Sequence, residues 1–177
     1  ARARVTAESA ARAARHMRDG GHEVLLGDIY RAAAPGADDG QIAQLVADEL
    51  GLEKEICFAF EPMLRLIRQA KGRGMRVIIV SDTYFDETQL RELLSSALCV
   101  DSLSGLIDEV FCSSRFGVSK FNGLFGKVLS ELGQGAEQVL HVGDNIAADL
   151  AGALKSGIRG VHFSAFSEEI DEVLRLH

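Results

Sequence analysis

The sequence has few cysteines and no long hydrophobic run, and both shortages narrow the classes of protein to which it can belong. The three cysteines, an odd number without paired spacing, are Cys57, Cys99 and Cys112. They indicate neither a disulfide framework nor a zinc site, and they favour a reducing, cytoplasmic setting. No apolar run reaches the length that spans a membrane, and no signal-peptide pattern is present.

Basic residues are also fewer than acidic residues. The formal net charge of −7 at pH 7 argues against non-specific binding of nucleic acid. The arginines near the start recur at helical spacing and indicate a solvated helix face, with an anion site as the alternative; they are Arg2, Arg4, Arg12, Arg15 and Arg18. At 177 residues and 47% hydrophobic content, the chain can bury a sizeable core.

The hydrophobic pattern changes near residue 61 and predicts two regions. Residues 1–60 contain no convincing strand, and their pattern predicts a helical region. We expect its helices over about 2–18, from near Asp28, and from Asp38–Asp39 to about Leu50. From residue 61 to residue 177 strands and helices alternate, which predicts an α/β core.

The predicted strands of the second region are four or five residues long and apolar throughout, as expected of strands that helices cover on both faces. Repeated strand–helix units imply a doubly wound parallel sheet with right-handed crossovers. We expect strands over 76–80, 109–112, 138–142 and 159–163, with helices starting at Pro62 and over 86–97, 121–132, 146–156 and from about 167.

Two loops that follow predicted strands could bind a phosphate. The Ser81 hydroxyl can donate to a phosphate oxygen at a strand end, and the Lys120 ammonium can neutralise a phosphate or keep a carboxylate charged. The alternatives are that Ser81 shapes a turn, that Asp82 beside it holds the loop, and that Lys120 is a solvated surface charge. Ser113, Ser114 and Arg115 are unspecific candidates for substrate contacts.

A third loop carries acidic residues. Gly143, Asp144 and Asn145 follow an apolar run, and Asp149 comes five residues after Asp144. A carboxylate at the end of a parallel strand is typical of a Mg²⁺ site, although Asp144 could instead cap the next helix. Since loops after parallel strands open on one side, a hydroxyl, a cation and a metal-binding carboxylate would converge there. That combination indicates phosphoryl transfer.

Three segments resemble known motifs. VIIVSDTYF, the lysine of GVSKFNG, and HVGDNIAAD are similar to the second, third and fourth motifs of the haloacid dehalogenase superfamily of phosphohydrolases. The resemblance covers roughly residues 61–163 and implies a Rossmann-like core, with residues 1–60 similar to the helical cap. ARVTAESAAR and the later DIY resemble a bacterial branch found near, or fused to, polysaccharide glycosyltransferases.

The resemblance implies a role for each matching residue. Ser81 and Lys120 would be catalytic and, with Asp82, would bind the phosphoryl group of a small phosphorylated substrate. Asp144 would ligate Mg²⁺, and Asp149 would be an auxiliary metal residue. The remaining loop residues, Gly143 and Asn145, would support the loop.

One part of the family pattern is missing. These enzymes form an aspartyl-phosphate on an Asp at the end of an apolar strand. A second Asp lies two residues later. This sequence contains no Asp-x-Asp: Asp38–Asp39 follow Ala and Gly, and Tyr84 stands two residues after Asp82. We therefore expect the chain to be an N-terminal truncation that lacks a central strand and is inactive alone.

Two other functions compete with this interpretation. The same gap would fit a catalytically inactive relative that binds an anionic ligand or a partner protein. A nucleotide-binding Rossmann domain is disfavoured, because no GxGxxG follows any predicted strand.

Overall fold

The computed structural model describes residues 2–100, 103 and 105–163, and the chain forms two compact units, Ala1–Gly117 and Val118–His177. Each unit is described by itself. The boundary predicted between residues 60 and 61 rests on the change in hydrophobic pattern, and it stays a prediction. The helix predicted from about residue 167 lies outside the described residues.

The first unit begins with the predicted helices. Asp38 caps the third of them by accepting a hydrogen bond from the Gln41 N–H, while the Gln41 side chain accepts one from the Asp38 N–H. This helix runs to Ile56, six residues beyond the predicted end, because Gly51 does not stop it. The four helices are α1 (Arg2–Asp19), α2 (Leu26–Ala33), α3 (Asp39–Ile56) and α4 (Glu61–Gly72).

Two parallel strands follow in the same unit. β1 (Ile78–Ser81) pairs with β2 (Glu109–Cys112), and Ser81 lies opposite Cys112. Between them lies α5 (Glu87–Leu98), which Asp86 and Gln89 cap reciprocally, as their spacing predicts. A short helix that the sequence pattern did not indicate, α6 (Ser113–Phe116), follows β2 directly.

The helices and strands of the first unit share a hydrophobic core. It joins α1 and α2 to α5 and β2, so residues of the predicted cap region pack in the same cluster as residues of the predicted α/β region. Cys112 is 1% exposed, and burial raises the pKa of its thiol to about 11. The fully buried members include Val24, Leu26, Ile29, Val110 and Cys112.

The second unit corrects one predicted helix. The segment Lys120–Leu124 is a wide turn rather than the start of a helix, because Gly123 has φ +116°, and α7 covers only Phe125–Leu132. Two more strands pair in parallel, β3 (Leu140–Gly143) with β4 (Arg159–His162). They are connected by a π-helical turn, Ile146–Ala151, and a short helix, α8 (Gly152–Lys155).

The apolar strands predict a sheet that is buried on both faces, but the strands of the second unit are partly exposed. Its buried side chains come from the segments around the sheet and include Leu124, Phe125 and Ile158. Leu140 and Val161 on the strands are 57% and 42% exposed. Within the part of the chain that is described, no helix is both long and apolar enough to cross a membrane.

Candidate functional site

The buried carboxylate of Asp149 accepts hydrogen bonds from three other residues of the second unit, near the end of β3. Asp149 is 3% exposed, and its Oδ1 accepts hydrogen bonds from Lys120 Nζ at 2.5 Å and His141 Nε2 at 2.9 Å. Its Oδ2 accepts the Asn145 N–H at 3.0 Å. These four residues form what we name the Asp149 cluster. It brings together side chains that are up to 29 positions apart in the chain.

The pKa values of both Asp149 and His141 lie below their ordinary values, for different reasons. Burial by itself would raise the pKa of Asp149, but the hydrogen bonds from Lys120, His141 and Asn145 outweigh it and hold that pKa below its ordinary value. Burial, together with the Lys120 charge, lowers the pKa of His141 in spite of its bond to Asp149. A neutral imidazole must donate through Nε2 to reach this carboxylate. The ring also meets Phe125 edge-on, 4.7 Å between centroids.

Two glycines leave room for this arrangement. A Cβ at Gly143 would overlap the Asp149 side chain, and a Cβ at Gly152 would lie 2.8 Å from the Lys120 carbonyl oxygen. Contacts that short do not occur for real Cβ atoms. The loop after β3 and the turn that carries Lys120 therefore require glycine at both positions.

Asn145 and Asp144 have different surroundings in the loop. Asn145 Oδ1 accepts the N–H groups of Ala147 at 3.0 Å and Ala148 at 2.9 Å, and so fixes the start of the π-helical turn. Asp144 is exposed directly after β3, and its carbonyl oxygen bonds to His162 Nε2 at 2.9 Å. Its carboxylate makes no hydrogen bond or ion pair with the residues that the structure describes.

The loop could provide one ligand for Mg²⁺. Asp149 and the side-chain oxygen of Asn145 are already bonded to the protein, whereas the Asp144 carboxylate is exposed at the strand end. Mg²⁺ commonly uses one or two carboxylates together with waters and substrate phosphate, so Asp144 fits one such position. The described residues contain no group of three or more His, Cys, Asp or Glu that could hold a metal. A metal role for Asp149 stays a prediction.

The loop after β1 lies in the first unit, and a hydrogen bond from its backbone holds it in place. Ser81 ends the strand and is half-buried, and the Thr83 N–H donates to Ser113 Oγ at 3.0 Å. Ser113 and Ser114 are 0% and 3% exposed and bond inside the unit. That they or Arg115 contact substrate stays a prediction. Asp82, which follows Ser81 in the loop, is exposed.

The structure brings some of the expected site residues together. Lys120, Gly143, Asn145 and Asp149 form one arrangement in the second unit, next to Asp144. Ser81 and Asp82 belong to the first unit. A joint site that includes Ser81 therefore stays a prediction.

His141 was missed as a partner in this arrangement. Its bond to Asp149, which lies eight residues later in the chain, was not foreseen from the sequence. The signal was the strand period of two, which places His141 on the same face as Gly143.

Comparison with known proteins gives a family and a fold. A family model described as haloacid dehalogenase-like hydrolase matches residues 5–157. No curated protein matches the chain. Among solved structures, the chain is similar to a 2-haloacid dehalogenase from Pseudomonas syringae pv. Tomato DC3000, with 17% identity and a TM-score of 0.60, over 98% of this chain and 82% of that one.

Two further solved structures agree with that likeness. A dehalogenase is 20% identical with a TM-score of 0.57, over 90% of this chain and 68% of that one. A dehalogenase with an intermediate complex is 18% identical with a TM-score of 0.56, over 98% and 80% of the two chains. At these identities the likeness shows a shared fold.

Proposed function

This chain belongs to the haloacid dehalogenase-like hydrolases, and we propose that it supplies the phosphate-binding residues and helical cap of a Mg²⁺-dependent phosphomonoester hydrolase. The reaction would pass through an aspartyl-phosphate on a residue outside this sequence. The observation that carries the proposal is the Asp149 cluster, which fixes the Lys120 ammonium beside the strand end that bears the exposed Asp144.

Lys120 is suited to steady a phosphoryl group. Its side chain is 13% exposed, and the bond to Asp149 restricts where the ammonium can lie. An ammonium has three N–H donors, so it can bond to Asp149 and to a phosphoryl oxygen at the same time. Placement of this kind is what phosphoryl transfer needs, since catalysis there consists mainly of positioning and charge neutralisation.

The other residues would complete the phosphate site. The Ser81 hydroxyl would donate to a phosphoryl oxygen, with Asp82 beside it in the same loop. Asp144 would hold Mg²⁺, which, when bound, neutralises charge on the phosphoryl oxygens. Asn145 and Gly143 would keep the Asp144 loop in place.

The absence of an Asp-x-Asp pair leads us to propose that the nucleophile lies on a strand that is not part of this sequence. One observation within the second unit supports this. Leu140 on β3 is apolar and 57% exposed, and a further strand paired with β3 would cover part of it. A cytoplasmic location and an association with polysaccharide glycosyltransferases are further parts of the proposal.

The test is the release of phosphate from an aryl phosphate in the presence of Mg²⁺. We expect no turnover from this chain, and turnover from a longer protein that adds an apolar strand ending in Asp-x-Asp. In that longer protein, Lys120→Met should reduce kcat roughly 100-fold, as loss of one charge-stabilising donor does elsewhere. Halide release from a 2-haloacid without any phosphate release would contradict the proposal.

A second candidate function is a non-catalytic module that binds an anionic ligand. The lack of Asp-x-Asp in the sequence is the observation that favours it. The coding region upstream of Ala1 separates the two candidates. A strand ending in Asp-x-Asp there supports the enzyme, and its absence from the full coding region supports the binding module.

A further inference from the structure

A buried polar chain connects the segment between α1 and α2 to the loop that follows β1. We propose that Glu23 and Ser113 are positioning residues that hold the loop 81–84, and with it Ser81, in the conformation that receives a phosphoryl oxygen. This inference rests on the proposed function of Ser81.

The contacts form an unbroken path within the first unit. Arg12 Nη1 lies 3.1 Å from Glu23 Oε1, and Ser113 Oγ donates to Glu23 Oε2 at 2.9 Å. The Thr83 N–H in turn donates to Ser113 Oγ at 3.0 Å. Glu23 is 8% exposed and Ser113 is fully buried, so water has little access to the bond between them.

The path controls which way the Ser113 hydroxyl points. A hydroxyl has one hydrogen and two lone pairs. While the hydrogen points to Glu23, a lone pair can accept from Thr83. The hydroxyl also lies 3.3 Å from the Thr83 carbonyl oxygen, to which it can turn when Glu23 is absent. Donation to a carboxylate polarises the hydroxyl and makes its oxygen a stronger acceptor, so removing Glu23 would weaken the bond from the Thr83 N–H.

Other contacts hold the residues further along. Leu26 N–H donates to the Tyr84 carbonyl at 2.8 Å, and Ser114 Oγ donates to the Phe85 carbonyl at 2.6 Å. The bond from Thr83 to Ser113 lies nearer to Ser81 in sequence than either of these. It is the bond through which a distant carboxylate can act on the phosphate-binding position.

The experiment measures amide hydrogen exchange at Thr83 by NMR in this chain. Ser113→Ala and Glu23→Ala should each speed that exchange about tenfold, beyond any change shared by all amides, because a buried hydrogen bond is lost or weakened. Ser113→Thr keeps the hydroxyl and should retain slow exchange. Glu8→Gln is the matched control: Glu8 also pairs with Arg12, at 3.0 Å, yet has no bond to Ser113.

A second measurement relates the path to function. Inorganic phosphate with Mg²⁺ is titrated onto the same variants, and we expect Ser113→Ala and Glu23→Gln to raise the Kd about tenfold while Ser113→Thr restores it. If the unsubstituted chain binds no phosphate, the proposed function fails, while the exchange data still decide the positioning role. Where an alanine variant does not fold, Glu23→Gln reports on the same amide. Unchanged Thr83 exchange in folded Ser113 and Glu23 variants overturns the inference.

Discussion

At the level of single residues, the two aspartates after β3 have opposite surroundings. Asp149 is buried and accepts three hydrogen bonds, whereas Asp144 is exposed. Asp149→Asn should lower the free energy of unfolding by about 3 kcal/mol, because it removes the carboxylate that pairs with the largely buried Lys120 charge. Asp144→Asn should change it by less than about 0.5 kcal/mol, as expected for an exposed side chain.

Urea denaturation of the two variants checks this contrast, since they make the same chemical change five residues apart. Equal destabilisation by both would mean that the Asp149 cluster does not hold the second unit together.

A second acidic residue predicts how stability depends on pH. Glu49 accepts two bonds from Arg4, at 2.9 and 3.2 Å, and one from the Tyr30 hydroxyl at 2.5 Å. Burial would raise the pKa of Glu49, but these donors outweigh it and lower that pKa below 4.5. The unfolded chain therefore binds a proton first as the pH falls. The stabilisation is present above about pH 4.5 and is lost as the pH falls through the folded-state pKa.

Replacing Glu49 by Gln should flatten the acid side of the stability profile between about pH 5 and pH 3. Thermal unfolding across that range is the measurement, with exposed Asp48→Asn on the same helix as the control. An unchanged acid slope in the Gln variant would show that these hydrogen bonds do not lower the pKa of Glu49. Burial, together with the same contact to Glu49, raises the pKa of Tyr30 to about 12.

Partners distant in sequence explain what could not be predicted at this scale. Arg4 and Arg12 were expected on a solvated face, and this was wrong: Arg4 pairs with Glu49, 45 positions away, and Arg12 with Glu23. Helical spacing identifies the residues that share a face, but not the element that covers it. Glu23 likewise has no local pattern that distinguishes it from a surface acid.

At the level of elements, the close contact between Gly152 and the turn that carries Lys120 can be tested by substitution. Gly152→Ala would place a Cβ 2.8 Å from the Lys120 carbonyl, which belongs to backbone and cannot swing away. We expect a loss of about 1–3 kcal/mol of stability from the resulting strain. Gly126→Ala on α7 is the control, because nothing lies within 4 Å of its added Cβ; it should be neutral or stabilising by up to about 1 kcal/mol.

Chemical denaturation of both glycine variants decides the point. A Gly152→Ala protein as stable as the Gly126→Ala protein would show that the turn carrying Lys120 can move aside at little cost.

The elements themselves were largely predictable where local signals agreed. β2 was predicted with its observed bounds, and the capping pair of Asp86 and Gln89 marked the start of α5. The helix predicted over 121–132 was wrong in its first part, because Gly123 adopts a positive φ that an apolar pattern does not reveal. The short helix after β2 was not predicted, because its two serines bond to other segments of the chain.

At the level of the whole molecule, the family and the α/β fold were predictable from three motifs, and the family match over residues 5–157 confirms them. The partners of Lys120 were not, since Lys120, His141 and Asp149 are joined only by the folded second unit. That Ser81, Lys120 and Asp144 bind one phosphoryl group stays a proposal, and it is the claim on which the function depends.

Titration of inorganic phosphate onto the protein, with and without Mg²⁺, tests that claim most directly. The account predicts binding that is stronger with Mg²⁺, loses its Mg²⁺ dependence in Asp144→Asn, and weakens about tenfold or more in both Ser81→Ala and Lys120→Met, as expected when a charged or polar anchor is removed. Phosphate affinity that is independent of Mg²⁺ and unchanged in the Ser81 and Lys120 variants would contradict it.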